Sequence, residues 1–264
     1  MVVIQRIVCL AAELPEIFFH LGALDRIVGI SAYTTRPTEA LLIPKVSGFQ
    51  KGSVSRIMAC NPDLVMLTSG VQRDLANALA EQGATLLHLN PHRLEDMFST
   101  IELIGILVDE RQKAKLWIQE LRMEVDKVRE QASRLPWRPS VYFEEWMDPL
   151  YCGTGWISDL IEIAGGDDVF QDRSRQGRNV ADRTVTVQDV VKAAPQIVLA
   201  SWCGKPFDRS SFTTRFGDST LPAITTGSIF ALEATILQCG PMLIDVLHTL
   251  YTIISQYVGN HEPK

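Results

Sequence analysis

The sequence predicts an α/β protein of two lobes, each a mostly parallel sheet wrapped by helices, joined by one long bridging helix with a ligand cleft between the lobes. Three observations lead there. Short β-rich runs alternate with helical segments and short connections, the pattern of parallel strands covered by crossover helices. Residues 53–70, SVSRIMACNPDLVMLTSG, match 186–203, TVQDVVKAAPQIVLASWC, without a gap. Residues 109–133 between these halves read as a single amphipathic helix, with Ala114, Trp117, Ile118, Leu121, Val125 and Val128 on one face. The expected boundaries are a first lobe over 1–108, the bridge over 109–135 and a second lobe over 136–264.

In chain order, Arg6 to Leu10 is a strand, and Pro15 suits the first turn of a helix that runs to Leu21 and stops at Gly22. Arg26 to Ile30 is a second strand. Residues 31–48 hold Pro37, Pro44 and Gly48 and read as a loop with one short helical turn. Ser53 to Ala59 is a helix, broken by Pro62 before the buried strand Leu64 to Leu67. Leu75 to Gln82 is a helix ended by Gly83, Thr85 to Leu89 a strand, and Leu94 to Leu107 a helix leading into the bridge. Asp109 with Gln112 resembles a capping box for the bridge, and Pro136 and Pro139 end it.

The alternation then restarts. Ser140 to Glu144 is a strand, Trp156 to Ala164 a helix closed by Gly165-Gly166, Val187 to Ala193 a helix, and Ile197 to Ala200 a buried strand. Leu221 to Thr225 is a weaker strand. Gly240-Pro241 opens a final helix through about Tyr257, with a frayed tail from Gly259. In the self-match Pro62 falls on Pro195, and LGALDRIVG at 21–29 parallels AGGDDVF at 164–170. Any two α/β segments share helix–Pro–strand pieces. The matched order of several such units favours an internal duplication.

The 264 residues carry a net charge of -6, and no basic patch with interleaved aromatics is present, so nucleic acid is not an expected partner. No apolar run reaches the roughly 18 residues of a membrane span. The opening MVVIQRIVCLAAELPEIFFHLG is interrupted by Glu13 and Glu16 and reads as strand then helix, not as an export signal. The chain as written is therefore expected in the cytoplasm, or in the periplasm if it is a mature or truncated form. Five cysteines at odd number and wide spacing read as free thiols.

Several of these segments resemble class III periplasmic substrate-binding proteins, the vitamin B12-binding and ferric-siderophore-binding components of ABC importers. They are RIVCLAAELPEIFFHLGALDRIVGIS, VSRIMACNPDLVML, WISDLIEIAGGDDVF, VTVQDVVKAAPQIVLASWCG and LQCGPMLIDVLHTL. EEWMDPLYCGTGW and SWCGKPF look closest to the cobalamin-binding-like group. The resemblance implies a non-enzymatic protein with no required cofactor, holding a corrinoid such as cobalamin between its lobes, and a monomer is the simplest assumption. A ferric siderophore or haem, or a cytosolic cofactor-handling role, is the alternative. A corrinoid is a large disc edged with amides and calls for aromatic faces and a few polar groups. The residues at strand-to-loop junctions that fit are Tyr33, Phe49, Gln50, Glu145, Trp146, Tyr151, Trp156, Trp202 and Cys203, above all Trp146, Trp156 and Trp202. The family docks on its permease through an acid on each lobe. Asp74 and Asp208 stand near those places here, each beside an arginine.

Catalysis and metal binding are not expected. Glu144 and Glu145 adjoin on a strand and would point to opposite faces. Pro91 between His88 and His92 rules out a helical metal pair. Gly153-Thr154-Gly155-Trp156 could seat an anion at a helix start. The run Arg173 to Arg178 reads as a solvated loop, with reach to an anionic ligand as its other reading.

Overall fold

Ile7-Val8-Cys9 forms β1, and every side chain in it is fully buried, as a central strand covered on both faces requires. The structure is a computed structural model, and it describes residues 4–48, 52–217 and 221–262. After β1 come α1 (Leu14–Leu21), β2 (Ile27–Ser31), β3 (Lys45–Ser47), α2 (Val54–Met58), β4 (Leu64–Thr68), α3 (Arg73–Glu81), β5 (Leu86–Leu89), α4 (Leu94–Leu107) and α5 (Arg111–Ala132). The chain continues with β6 (Ser140–Met147), β7 (Leu150–Cys152), α6 (Gly155–Ile163), β8 (Asp167–Asp168), α7 (Gln171–Gln176), β9 (Thr184–Val185), α8 (Val187–Ala193), β10 (Ile197–Ala200), α9 (Arg209–Phe216), α10 (Pro222–Thr226), β11 (Ile229–Ala231) and α11 (Leu243–Asn260). They fall into two compact units, Met1–Pro91 with Asp96–Glu120, and His92–Glu95 with Leu121–Lys264. The division passes through α5, between Glu120 and Leu121.

The first unit is a sheet in the order β3-β2-β1-β4-β5, and every pairing is parallel. Pro15 sits in the first turn of α1, where its missing N–H costs nothing. Gly22 ends α1 at φ 78°, and its N–H and that of Ala23 close on Phe19 and Phe18 carbonyls. Val8, Leu10, Val46, Ile57, Val65, Leu67, Leu75 and Leu79 make one core of this unit.

The second unit is a sheet in the order β11-β10-β6-β7-β9, with β8 paired to the start of β6. β10, β11 and β8 run parallel to their neighbours, while β7 is antiparallel to both β6 and β9. Tyr142, Leu150, Cys152, Val190, Val198, Phe212, Phe216 and Ile229 are among the residues that close its core. The aligned segments of the self-match become α2–β4 and α8–β10. Each strand of that pair lies parallel beside the strand that opens its unit, β1 or β6. β8 lies beside β6 as β2 lies beside β1, the pairing implied by the match of 164–170 with 21–29.

Four sequence expectations are corrected. Asp109 does not cap the long helix. It stands at φ 64° as the turn closing α4, with the Glu110 N–H on Gly105 oxygen, and α5 starts at Arg111. Leu221 to Thr225 is not a strand. Pro222 in the first turn and Gly227 at φ 72° define the helix α10 instead. The arginine run is not a loop, since Gln171–Gln176 is helical. The tail is held as far as His261, which stacks on Tyr257 at 4.1 Å and bonds its carbonyl through Nδ1, so α11 continues to Asn260. Short β3, β7 and β11 and the helix α9 carry no signal that the sequence reading picked up. No helix among the described residues is long and apolar enough to cross a membrane.

Candidate functional site

In the second unit β6 outruns its parallel neighbours by three residues and turns back as a hairpin with β7 around the cis Asp148–Pro149 bond. A bulge between Glu144 and Trp146 leaves Glu145 without a partner in the ladder. Beyond it, Trp146 opposes Tyr151, and both side chains are half-buried. Directly opposed residues share a face at roughly 5 Å between Cβ atoms, so the two rings form one aromatic edge. Trp146 Nε1 donates to the Asp148 carbonyl at 2.9 Å, which fixes the indole to the turn.

Below this edge the two adjacent acids hold different arginines. Glu144 is fully buried. It accepts from Arg215 Nη1 at 2.7 Å, from Trp202 Nε1 at 2.9 Å and from the Tyr142 hydroxyl at 3.3 Å. Burial raises its pKa, opposed by Arg215, Trp202 and Tyr142. Glu145 accepts from both terminal nitrogens of Arg183, one of them at 3.1 Å, and Arg183 also donates to the Cys152 carbonyl at 2.6 Å. A buried acid paired and hydrogen-bonded in this way is held in one place. The two carboxylates are engaged by different arginines, Glu144 by Arg215 and Glu145 by Arg183.

The turn after β10 completes this end of the sheet. Trp202 is 2 % exposed and packs edge-on against Phe207 at 4.9 Å. Cys203 is exposed, and burial of its surroundings followed by Glu145 raises its thiol pKa. Lys205 is exposed, with Nζ 5.5 Å from the Trp202 ring centroid and 3.5 Å from Met147 Sδ. Trp156, in the first turn of α6, is buried, and its Nε1 donates to the Ile236 carbonyl at 2.9 Å. Of the three favoured tryptophans only Trp146 is therefore open, and Trp156 and Trp202 lie in the body of the unit. The start of α6 is closely packed at Gly155. A Cβ at Gly155 would meet the His92 carbonyl at 2.4 Å, so the glycine lets that segment pack closely on the helix start.

In the first unit Tyr33 follows β2 and is 50 % exposed. Phe49 and Gln50 lie outside the described residues. Glu13, just past β1, is 4 % exposed, and burial pushes its pKa up to about 7 against the pull of its own backbone N–H and the Thr68 hydroxyl. Arg36 pairs with buried Glu16 at 2.7 Å. Of the two docking acids, Asp74 is exposed in the first turn of α3. Asp208 caps α9, accepting from Ser210 N, Ser210 Oγ and Ser211 Oγ, which holds its pKa down to about 2. No three His, Cys, Asp or Glu side chains among the described residues gather as a metal site.

Sequence reasoning passed over Arg183, Arg215 and Lys205. The buried run Val141-Tyr142-Phe143 ahead of Glu144 is a signal that a counter-charge must come from elsewhere, but not from where.

Two mostly parallel sheets wrapped by helices, in units that divide within a long helix, are the fold of a class III substrate-binding protein. The periplasmic binding protein family model matches residues 7–235, and the chain belongs to that family. A vitamin B12-binding protein of Yersinia pestis is 25% identical over 212 residues, covering 78% of this chain and 73% of that protein. Among solved structures, a periplasmic heme-binding protein from Roseiflexus sp. RS-1 superposes with a TM-score of 0.78 at 23% identity, covering 96% of this chain and 99% of the other. The periplasmic vitamin B12 binding protein of Vibrio cholerae does so with a TM-score of 0.76 at 20% identity, covering 97% and 98%. At these identities the structural likenesses establish the fold.

Proposed function

We propose that the protein is a non-enzymatic carrier that binds a corrinoid of the cobalamin class. The observation that carries this reading is the Trp146–Tyr151 edge on the β6–β7 hairpin, two half-open rings anchored over internally neutralised charge. Flat apolar ligand surface is held by such rings, and amide edges by the polar loop groups around them. The vitamin B12-binding relative supports the same reading. An anionic iron chelate would be read by free guanidinium groups. Arg173 instead donates to the Thr184 carbonyl beside Asp189, and Arg175 pairs with Glu162 and Asp159, which leaves the exposed Arg178 as the one guanidinium of that run with no ion pair among the described residues. Delivery to an ABC permease through Asp74 and Asp208, by a monomeric carrier, belongs to the proposal.

Calorimetric titration with cyanocobalamin and dicyanocobinamide tests it. Binding of a corrinoid is expected, with Trp146→Ala weakening it about tenfold at unchanged thermal stability. No heat of binding at roughly 1 mM ligand, the weak end of specific association, sinks the reading.

A further inference from the structure

The row that carries Trp146 and Tyr151 does not end at β7. Where β7 meets β9, Tyr151 is opposed in turn by Thr184, and Leu150 by Val185. Leu150 and Val185 are buried in the same core as Tyr142, so Tyr151 and Thr184, one position along, point to the other face. Trp146, Tyr151 and Thr184 thus stand side by side on one face of three neighbouring strands, a row of roughly 10 Å at the usual strand spacing. All three side chains are half-buried.

A single clamp holds the residue next to each member of this row. Glu145 precedes Trp146, Cys152 follows Tyr151, and Arg183 precedes Thr184. Arg183 Nη2 donates to Glu145 Oε1 at 3.1 Å, and its Nη1 donates to the Cys152 carbonyl at 2.6 Å. One guanidinium therefore ties the three strands together beside the row. Its side chain is 7 % exposed, so water is kept from competing for those bonds. A surface held in this way before a ligand arrives loses little freedom on binding. At Thr184 the carbonyl accepts from Arg173, while the hydroxyl has no hydrogen-bond partner among the described residues.

We propose that Thr184 is the third member of the ligand platform, its hydroxyl binding an amide on the rim of the corrin while Trp146 and Tyr151 take the flat body. This rests on the corrinoid reading and deepens it by naming a residue that reads the rim. A threonine hydroxyl donates one hydrogen bond and accepts others, so it meets either end of an amide.

Calorimetry on two probes tests the assignment. Cyanocobalamin and dicyanocobinamide share the amide-edged ring, and only the first carries a nucleotide loop. Thr184→Val keeps the branched shape that suits a strand and removes the hydroxyl. It should weaken both probes about fivefold, Thr184→Ser should keep most of the affinity, and both variants should melt as the wild type does. Wild-type affinity in Thr184→Val overturns the role of Thr184 and leaves the corrinoid reading standing. So does an equal loss in Thr184→Ser, a loss that tracks a lowered melting temperature, or a loss confined to cyanocobalamin, which would move the contact to the nucleotide loop. Wild-type protein that binds neither probe overturns the corrinoid reading, and the rim contact with it.

Discussion

In the first unit β1 lies between two parallel strands. In the second, β6 pairs in parallel with β10 over Val141–Glu144, and beyond the short β8 it takes the antiparallel β7 on its other side. The strand–helix core of each is alike, down to a residue at positive φ ahead of the proline that starts β4 or β10, Asn61 at 47° and Ala194 at 46°. Both units also bury a carboxylate at the exit of the central strand, and here they diverge. Glu13 has its own backbone N–H and the hydroxyl of Thr68, and its proton is held up to about pH 7. Glu144 has Arg215, with Trp202 and Tyr142 as further donors. One strand–helix arrangement thus tolerates a buried acid in two ways, by keeping its proton or by supplying a cation. The first unit also supplies a cation, Arg36 to buried Glu16, so the contrast is confined to the exit of the central strand, where the second unit extends a hairpin with an open aromatic edge.

The most disruptive way to break this contrast is Arg215→Ala. It leaves Glu144 buried beside two neutral donors, and loss of one member of a buried pair costs about 3–5 kcal/mol. Urea unfolding at pH 8 should show the full loss, and at pH 5 a smaller one, because Glu144 then takes up a proton. Equal losses at the two pH values would mean that the arginine contributes packing alone.

Glu13→Gln tests the first unit's solution. The folded protein binds this proton more tightly than the unfolded chain, whose ordinary value is 4.5. The stabilisation from Glu13 is therefore complete below about pH 4.5 and is lost as pH rises towards 7. Removing the charge should leave stability unchanged at pH 4 and raise it relative to wild type by about 3 kcal/mol at pH 8. A constant difference across that range would remove the protonated-acid account.

The smallest effect sharpens the likeness between the units. Left-handed backbone costs an alanine roughly 1–2 kcal/mol and an asparagine less. Ala194→Asn should therefore stabilise by about 1 kcal/mol, and Asn61→Ala should destabilise by a similar amount, both read from unfolding midpoints. Both positions are exposed, so packing does not confuse the result.

What could be read in advance follows from how local each signal is. Leu94–Leu107, Val187–Ala193 and Ile197–Ala200 stand where the sequence reading put them, because periodicity or an unbroken apolar run lies within each segment. β7 has three residues after Pro149, too few to show alternation, and Leu221 to Thr225 has β-branched residues overruled by a proline at the helix start. The candidate site divides the same way. Trp146 and Tyr151 were visible as aromatics at a strand end. Their supports were not, since Arg183 lies 38 residues from Glu145 and Arg215 lies 71 from Glu144. That separation also hid the burial of Trp156 and Trp202, whose partners Ile236 and Glu144 are 80 and 58 residues away.

The short segment His92–Glu95 has a consequence for the order in which the protein is made. It belongs to the second unit, where Arg93 grips Asp159 with two bonds, the Leu94 N–H caps onto the same carboxylate and the His92 ring bonds the Arg175 carbonyl. Every one of those partners leaves the ribosome later than the segment does, with all of α5 in between. The second unit is thus keyed to a piece of chain synthesised before it. A shortened gene that starts at the midpoint of α5 would lack that piece and strand Asp159 without Arg93. A gene that starts at residue 92 would keep it.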